Sequence, residues 1–291
     1  MSPLFRFTSF ASVLAVAGTA QAVTIFDATV DDVYLASGDP GVTLTDTGSG
    51  VTVVNGSTSP QNAYVFGNFD DVTLDDIGDS VTLNFTLSDP PPTLPTFRVI
   101  LSGKRGGLLN TEDVGLRDFS RAYAGYGITQ PVGTINVAYY SNEGGPATNP
   151  TEDRHLTEQS DFDIASDTTG GGDDRFNSDD TASISLTIAR DSATTFNISS
   201  TLDVVGGSGE QQLGGFSYAP PVGNRFQLGD AFTTFGIGTG ENSNNSDQIN
   251  PGSSFVISDL SVEFNPVPEP ASAVLAGLGG ALLLGRRRGG R

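Results

Sequence analysis

Val81-Thr82-Leu83-Asn84-Phe85-Thr86-Leu87 alternates apolar and polar residues without a break. On an extended chain this period of two gathers every apolar side chain on one face, so the strand has one side to hide. Further along, Phe97, Val99 and Leu101 resume the pattern after Pro90-Pro91-Pro92. Ile184, Leu186 and Ile188 repeat it, and Phe196, Ile198 and Leu202 follow a turn near Asp191. Toward the end, Val256, Leu260, Val262 and Phe264 are expected to face one way. Gly, Asn, Asp and Ser fill the gaps, as turns require, and no long stretch between these strands carries a helical stripe. Many one-sided strands hide their apolar faces by packing sheet on sheet. The pattern therefore predicts an all-β fold, an antiparallel β-sandwich of the jelly-roll kind, as one domain over residues 23–265. Ser141–Pro150, Ser166–Asp180 and Gly238–Gly252 read as long polar loops.

Composition narrows the chemistry. Of the 14 Lys and Arg, Arg6 and the four arginines from Arg286 onward lie at the ends, leaving nine in the body. Of the 34 Asp and Glu, only Glu269 lies there, so the body carries a net charge of about −24. Such a surface repels phosphate backbones and argues against nucleic-acid partners. There is no cysteine, which excludes disulfides and thiolate metal sites. The only histidine is His155, which reads as a loop residue, and no G-x-S-x-G elbow is present, so a Ser-His-Asp constellation is poorly supported.

Glycoside hydrolysis needs paired carboxylates, and in the sandwich folds that cut β-glucans these follow E-x-D-x-x-E. Glu112, Glu143, Glu152, Glu158, Glu210, Glu241 and Glu263 are the body's glutamates, and none sits in that pattern. Tryptophan, the usual platform for sugar rings, is absent; Tyr123, Tyr126, Tyr139 and Tyr140 remain as possible substitutes. The Tyr139-Tyr140 pair is expected to place one ring in the core and one outside. Oxygen-rich loops suit a hard cation, and Asp161, Asp163, Asp167, Asp173 and Asp174 form the candidate calcium set. No other cofactor is expected. Asp31-Asp32, Asp70-Asp71 and Asp75-Asp76 read as solvated turns, and the sequons at Asn55, Asn84, Asn197 and Asn244 as chance matches.

The two ends are addresses. Arg6 leads into an apolar stretch from Phe10 to Gly18, and Ala20-Gln21-Ala22 supplies the small residues that signal peptidase accepts. A signal helix over residues 1–22, cleaved after Ala22, is the reading. At the other end Pro268-Glu269-Pro270 precedes an apolar run, Ala271–Gly285, and then Arg286-Arg287-Arg288. Its 15 residues span roughly 22 Å as a helix, short of a ~30 Å hydrocarbon core, a gap that snorkelling arginines and local thinning can close. This single transmembrane helix would keep its arginines cytoplasmic and the body outside.

The three-part tail, residues 266–291, resembles the PEP-CTERM sorting signal of Gram-negative bacteria. The resemblance implies recognition and cleavage by exosortase, a membrane transpeptidase, after transient anchoring in the inner membrane. It also implies association with extracellular polysaccharide and biofilm; a permanent single-span anchor is the alternative. Ile77-Gly78-Asp79-Ser80, the strand after it, Phe97-Arg98-Val99 and Phe255–Leu260 look like the concanavalin/laminin-G-like sandwiches common on such proteins. The expectation is thus an exported, non-enzymatic cell-surface or matrix protein that acts in adhesion or polysaccharide association. A secreted polysaccharide-acting hydrolase or lyase and a passive structural coat protein are the rival readings.

Overall fold

Alternating strands pair wherever their apolar faces can be buried together, and the pairing here builds two sheets. The computed structural model describes residues 21–37, 39–48, 50–89, 96–104, 114–115, 123–131, 135–141, 157–158, 165–167, 181–205, 211–220, 226–239 and 248–267. Ala22–Pro266 forms one compact unit; of the other, Met1–Gln21 with Val267–Arg291, only Gln21 and Val267 are described. Among the described residues no helix is long and apolar enough to cross a membrane. The expected signal helix and the span at Ala271–Gly285 lie outside the described residues.

The strands in chain order are β1 (Val23–Asp27), β2 (Tyr34–Ser37), β3 (Val42–Asp46), β4 (Gly50–Asn55), β5 (Ala63–Val72) and β6 (Ser80–Ser88). Then come β7 (Thr96–Lys104), β8 (Val114–Gly115), β9 (Tyr123–Pro131), β10 (Ile135–Ser141), β11 (Thr157–Glu158) and β12 (Ala165–Asp167). The last five are β13 (Thr181–Arg190), β14 (Phe196–Val204), β15 (Gln211–Tyr218), β16 (Phe232–Thr239) and β17 (Ser254–Asn265).

The first sheet runs β15-β14-β13-β6-β17-β4-β3, with β1 also on β17. The second runs β11-β10-β9-β7-β16-β5-β2-β8, with β12 also on β10. Every pair is antiparallel except β2 with the two-residue β8. The fold is an all-β antiparallel sandwich, as the alternation predicts.

Val81, Leu83, Phe85 and Leu87 of β6 are all buried, and they share one core with Phe97, Val99 and Leu101 of β7 across the gap. Phenylalanines bridge the sheets at three points. Phe97 lies between Phe85 and Phe255, at centroid distances of 6.3 and 6.2 Å. Phe26 meets Phe235 edge-on at 4.8 Å, and Phe196 meets Phe232 at 6.2 Å. Edge-to-face rings interlock two layers better than aliphatic side chains of equal area, which suits a core between twisted sheets.

One predicted face is corrected. Val256 does not point with Leu260, Val262 and Phe264; Phe255 and Ile257 are the buried residues there. The β17–β6 register slips between Ser258 and Ser261, and Asp259 has φ of 52°. An extra residue in a strand inverts its alternation, so a count of two carried back from Leu260 lands on the wrong side.

Two further expectations change. Asp70 and Asp71 are exposed within β5 rather than in a turn, whereas Asp31-Asp32 and Asp75-Asp76 do lie between strands. Ser141 ends β10, Ser166 and Asp167 belong to β12, and Gly238 and Thr239 complete β16, so the three polar tracts are loops only in part. At the β1–β2 turn, Thr29 donates from its N–H and its hydroxyl to Asp27 at 2.9 and 2.7 Å. Those hydrogen bonds hold the Asp27 carboxyl below its usual range.

Candidate functional site

The inward side of the second sheet is core; its outward side is the unusual surface of this molecule. Tyr64 and Phe66 of β5, Ile100 of β7 and Ala36 of β2 are all buried without belonging to the shared core. They alternate with the core residues Val65, Val99 and Leu35, so they form a second buried layer on the opposite face. Arg98 and Ser102 flank Ile100 on that face and are equally enclosed, at 5% and 2% exposure. A guanidinium is rarely this enclosed unless it is paired.

Hydrogen bonds knit the layer. Thr234 of β16 donates through Oγ1 to Asn68 Oδ1 at 2.8 Å, and Ser102 Oγ donates to the Thr234 carbonyl at 3.3 Å. Just before β5, Asn62 is 7% exposed, and its Oδ1 has no hydrogen-bond partner among the described residues. At the edge, the Tyr34 ring lies 5.5 Å from that of Phe66, and its hydroxyl donates to Asp32 Oδ2 at 3.2 Å. Burial, reinforced by the Asp32 charge, pushes the Tyr34 phenol up.

Glycine makes room for this layer. A Cβ on Gly238 would stand 2.2 Å from the Ala63 carbonyl oxygen and 2.8 Å from Cδ1 of Tyr64, so the tyrosine ring lies across bare backbone. A Cβ on Gly125 or Gly127 of β9 would press into β7 at the Leu101 and Val99 carbonyls. Gly238→Ala should therefore destabilise the sandwich by about 1–3 kcal/mol through overpacking and disturb the tyrosine near-UV signal. An unchanged melting curve and spectrum would mean that the ring does not occupy that place.

In the register Tyr123 pairs with Lys104, Tyr140 pairs with both Gly125 and Glu158, and Tyr126 pairs with Tyr139. Asp167 of the calcium set sits opposite Ile135, at the end of β12. Asp161, Asp163, Asp173 and Asp174 lie outside the described residues, as does His155. Ala20, Pro268, Glu269, Pro270, Arg286, Arg287 and Arg288 lie outside them too, while Ala22 is described and exposed. Among the described residues no three His, Asp or Glu side chains gather as a metal site.

Asn55 is fully buried, and its amide is occupied by Ser57, Ser59 and Ile249, so this sequon cannot accept sugar in the folded chain. Asn84 and Asn197 are half-buried on the outer side of the first sheet.

Sequence reading passed over Arg98, Asn62 and Tyr64. A signal was present: five of the body's nine cations, Arg98, Lys104, Arg105, Arg117 and Arg121, fall between positions 98 and 121. A charge inside the apolar run Phe97–Leu101 is the second mark, since an exposed strand face does not require one there.

No protein-family model matches this sequence, and no curated protein matches it. Solved structures do resemble it in their trace. A marine PL-14 alginate lyase from Aplysia kurodai is 11% identical over 84% of this chain and 99% of its own, with a TM-score of 0.48. The potassium-bound carbohydrate recognition domain of Emp46p is 10% identical over 80% of this chain and 88% of its own, with a TM-score of 0.42. A legume lectin-like domain from Entamoeba histolytica is 12% identical over 88% of this chain and all of its own, with a TM-score of 0.38.

Proposed function

We propose that this chain is an exported, exosortase-sorted cell-surface or matrix protein that works by binding extracellular polysaccharide rather than by catalysis. The observation that carries the reading is the frame around the sandwich. β1 begins at Val23, directly after Ala22, and β17 ends at Asn265, three residues before Pro268. The folded body therefore fills the interval between a cleavable leader and a sorting tail, and removing both would leave its strands intact. The central position of β17 between β6 and β4 supports assignment to the concanavalin-like jelly rolls, since such non-sequential neighbours need long crossing connections.

Mass spectrometry of the protein from the native surface and medium tests this. The expected species starts at Val23 and has lost Arg286, Arg287 and Arg288. Extracellular molecules that keep those arginines, in a strain with a working transpeptidase, would overturn the sorting role.

A further inference from the structure

The outer side of the first sheet differs from the rest of this acidic surface. β6 and β13 present hydroxyls, one amide and the Ala189 methyl there; the neighbouring strands each add a carboxylate, Asp203 of β14 opposite Ser183 and Glu263 of β17 opposite Thr82. No aromatic residue stands on this side of β6 or β13.

The hydroxyls are ordered rather than loose. Thr82 and Thr187 meet across the strands at 3.0 Å, Ser88 and Thr181 at 3.2 Å, and Ser185 and Thr201 at 2.6 Å. Each contact uses one donor and one lone pair, so each pair keeps a second proton and further lone pairs for other partners. Strand spacing of about 4.8 Å and a same-face repeat of about 6.7 Å turn these pairs into a regular, fixed lattice.

Charge and chemistry select the occupant. A polyanion is repelled by a body of about −24, and a cationic partner would be drawn to the carboxylate-rich turns instead. A second copy brings the same charge, and protein interface cores favour aromatic residues, Met and Arg while excluding Ser. A neutral polymer of hydroxyls exchanges its water hydrogen bonds for these one by one, and many weak contacts along one chain add up.

We infer that the outer face of the first sheet, across β6, β13 and β14, docks a neutral polysaccharide. This inference rests on the proposed role in polysaccharide association and names the polymer class and the surface.

The test uses processed protein recovered from the producer's medium, measured for retention on insoluble neutral glucan and on the producer's own polysaccharide. Native protein should be retained on the glucan in a salt-independent way. Thr187→Glu should lower retention by about tenfold or more, and Thr82→Val/Thr187→Val, which keeps strand shape, by a comparable factor. Unchanged retention in the valine variant, with native melting, would remove the face from the site while leaving polysaccharide association standing. No retention of native protein on either material would bring down both. Sedimentation showing a native dimer that the valine variant dissolves would assign the face to a second copy and overturn the inference.

Discussion

Phe97→Ala should destabilise the sandwich by about 3–5 kcal/mol, among the largest effects of any single core truncation here. Phe97 is 5% exposed, and its ring stands between Phe85 and Phe255, which belong to the opposite sheet. Truncation removes the ring's transfer energy, opens a cavity that two twisted sheets cannot close, and abolishes two aromatic contacts. In a domain of this size the melting temperature should fall by roughly 6–20 °C. Phe97→Leu, which keeps most of the apolar volume, should lose much less. Denaturant unfolding of the two variants measures the difference. A loss below about 1 kcal/mol for alanine would mean that the sheets are not joined through this ring.

Asn55→Ala should lose about 2–4 kcal/mol although it removes no apolar contact. The side chain is fully buried and all its hydrogen-bonding capacity is spent. Its Nδ2 donates to the Ile249 carbonyl at 2.7 Å and the Ser59 carbonyl at 3.0 Å. Its Oδ1 accepts from the Ser57 N–H at 2.9 Å and the Ser57 hydroxyl at 2.7 Å. Backbone bonds from Gly252 N–H to the Asn55 carbonyl and between Gln61 and Ile249 close the same junction. One amide thus ties the turn after β4 to the approach to β17, and alanine strands donors and acceptors together.

Asn55→Asp separates this account from simple packing loss. It replaces the donor with a second acceptor facing two carbonyls, which raises the folded-state pKa of the new carboxyl. A raised folded-state pKa means that stability is retained below the unfolded value, about 4, and lost as pH rises through the folded one. Asn55→Asp should therefore be the weaker variant at pH 7, with the gap to Asn55→Ala closing toward pH 4. Equal stability of the two at neutral pH would rule out the hydrogen-bonding role.

Legibility followed locality. Val81–Leu87 reads directly because burial on one face needs no partner other than a sheet of some kind. The Val256 assignment failed because a bulge is a two-strand event: Asp259 leaves the register only with respect to β6. Asn55 reads as a chance sequon in sequence, since its partner Ile249 is 194 positions away. The candidate site was legible only as a cluster of cations and an odd arginine in an apolar strand, because Tyr64, Asn68, Thr234 and Ser102 meet through pairings between β5, β16 and β7.

By itself the sequence determined the sandwich class, the acidic surface, the lack of thiol chemistry and the resemblance of its tail to a sorting signal. All of these depend on residue type and spacing along one stretch of chain. Only tertiary structure decided which strands are neighbours, and so which outward face is buried around Arg98 and which is a neutral hydroxyl lattice. Strand order comes from hydrogen bonds between segments far apart in sequence, and a period of two records that a strand has two sides without saying what lies against either.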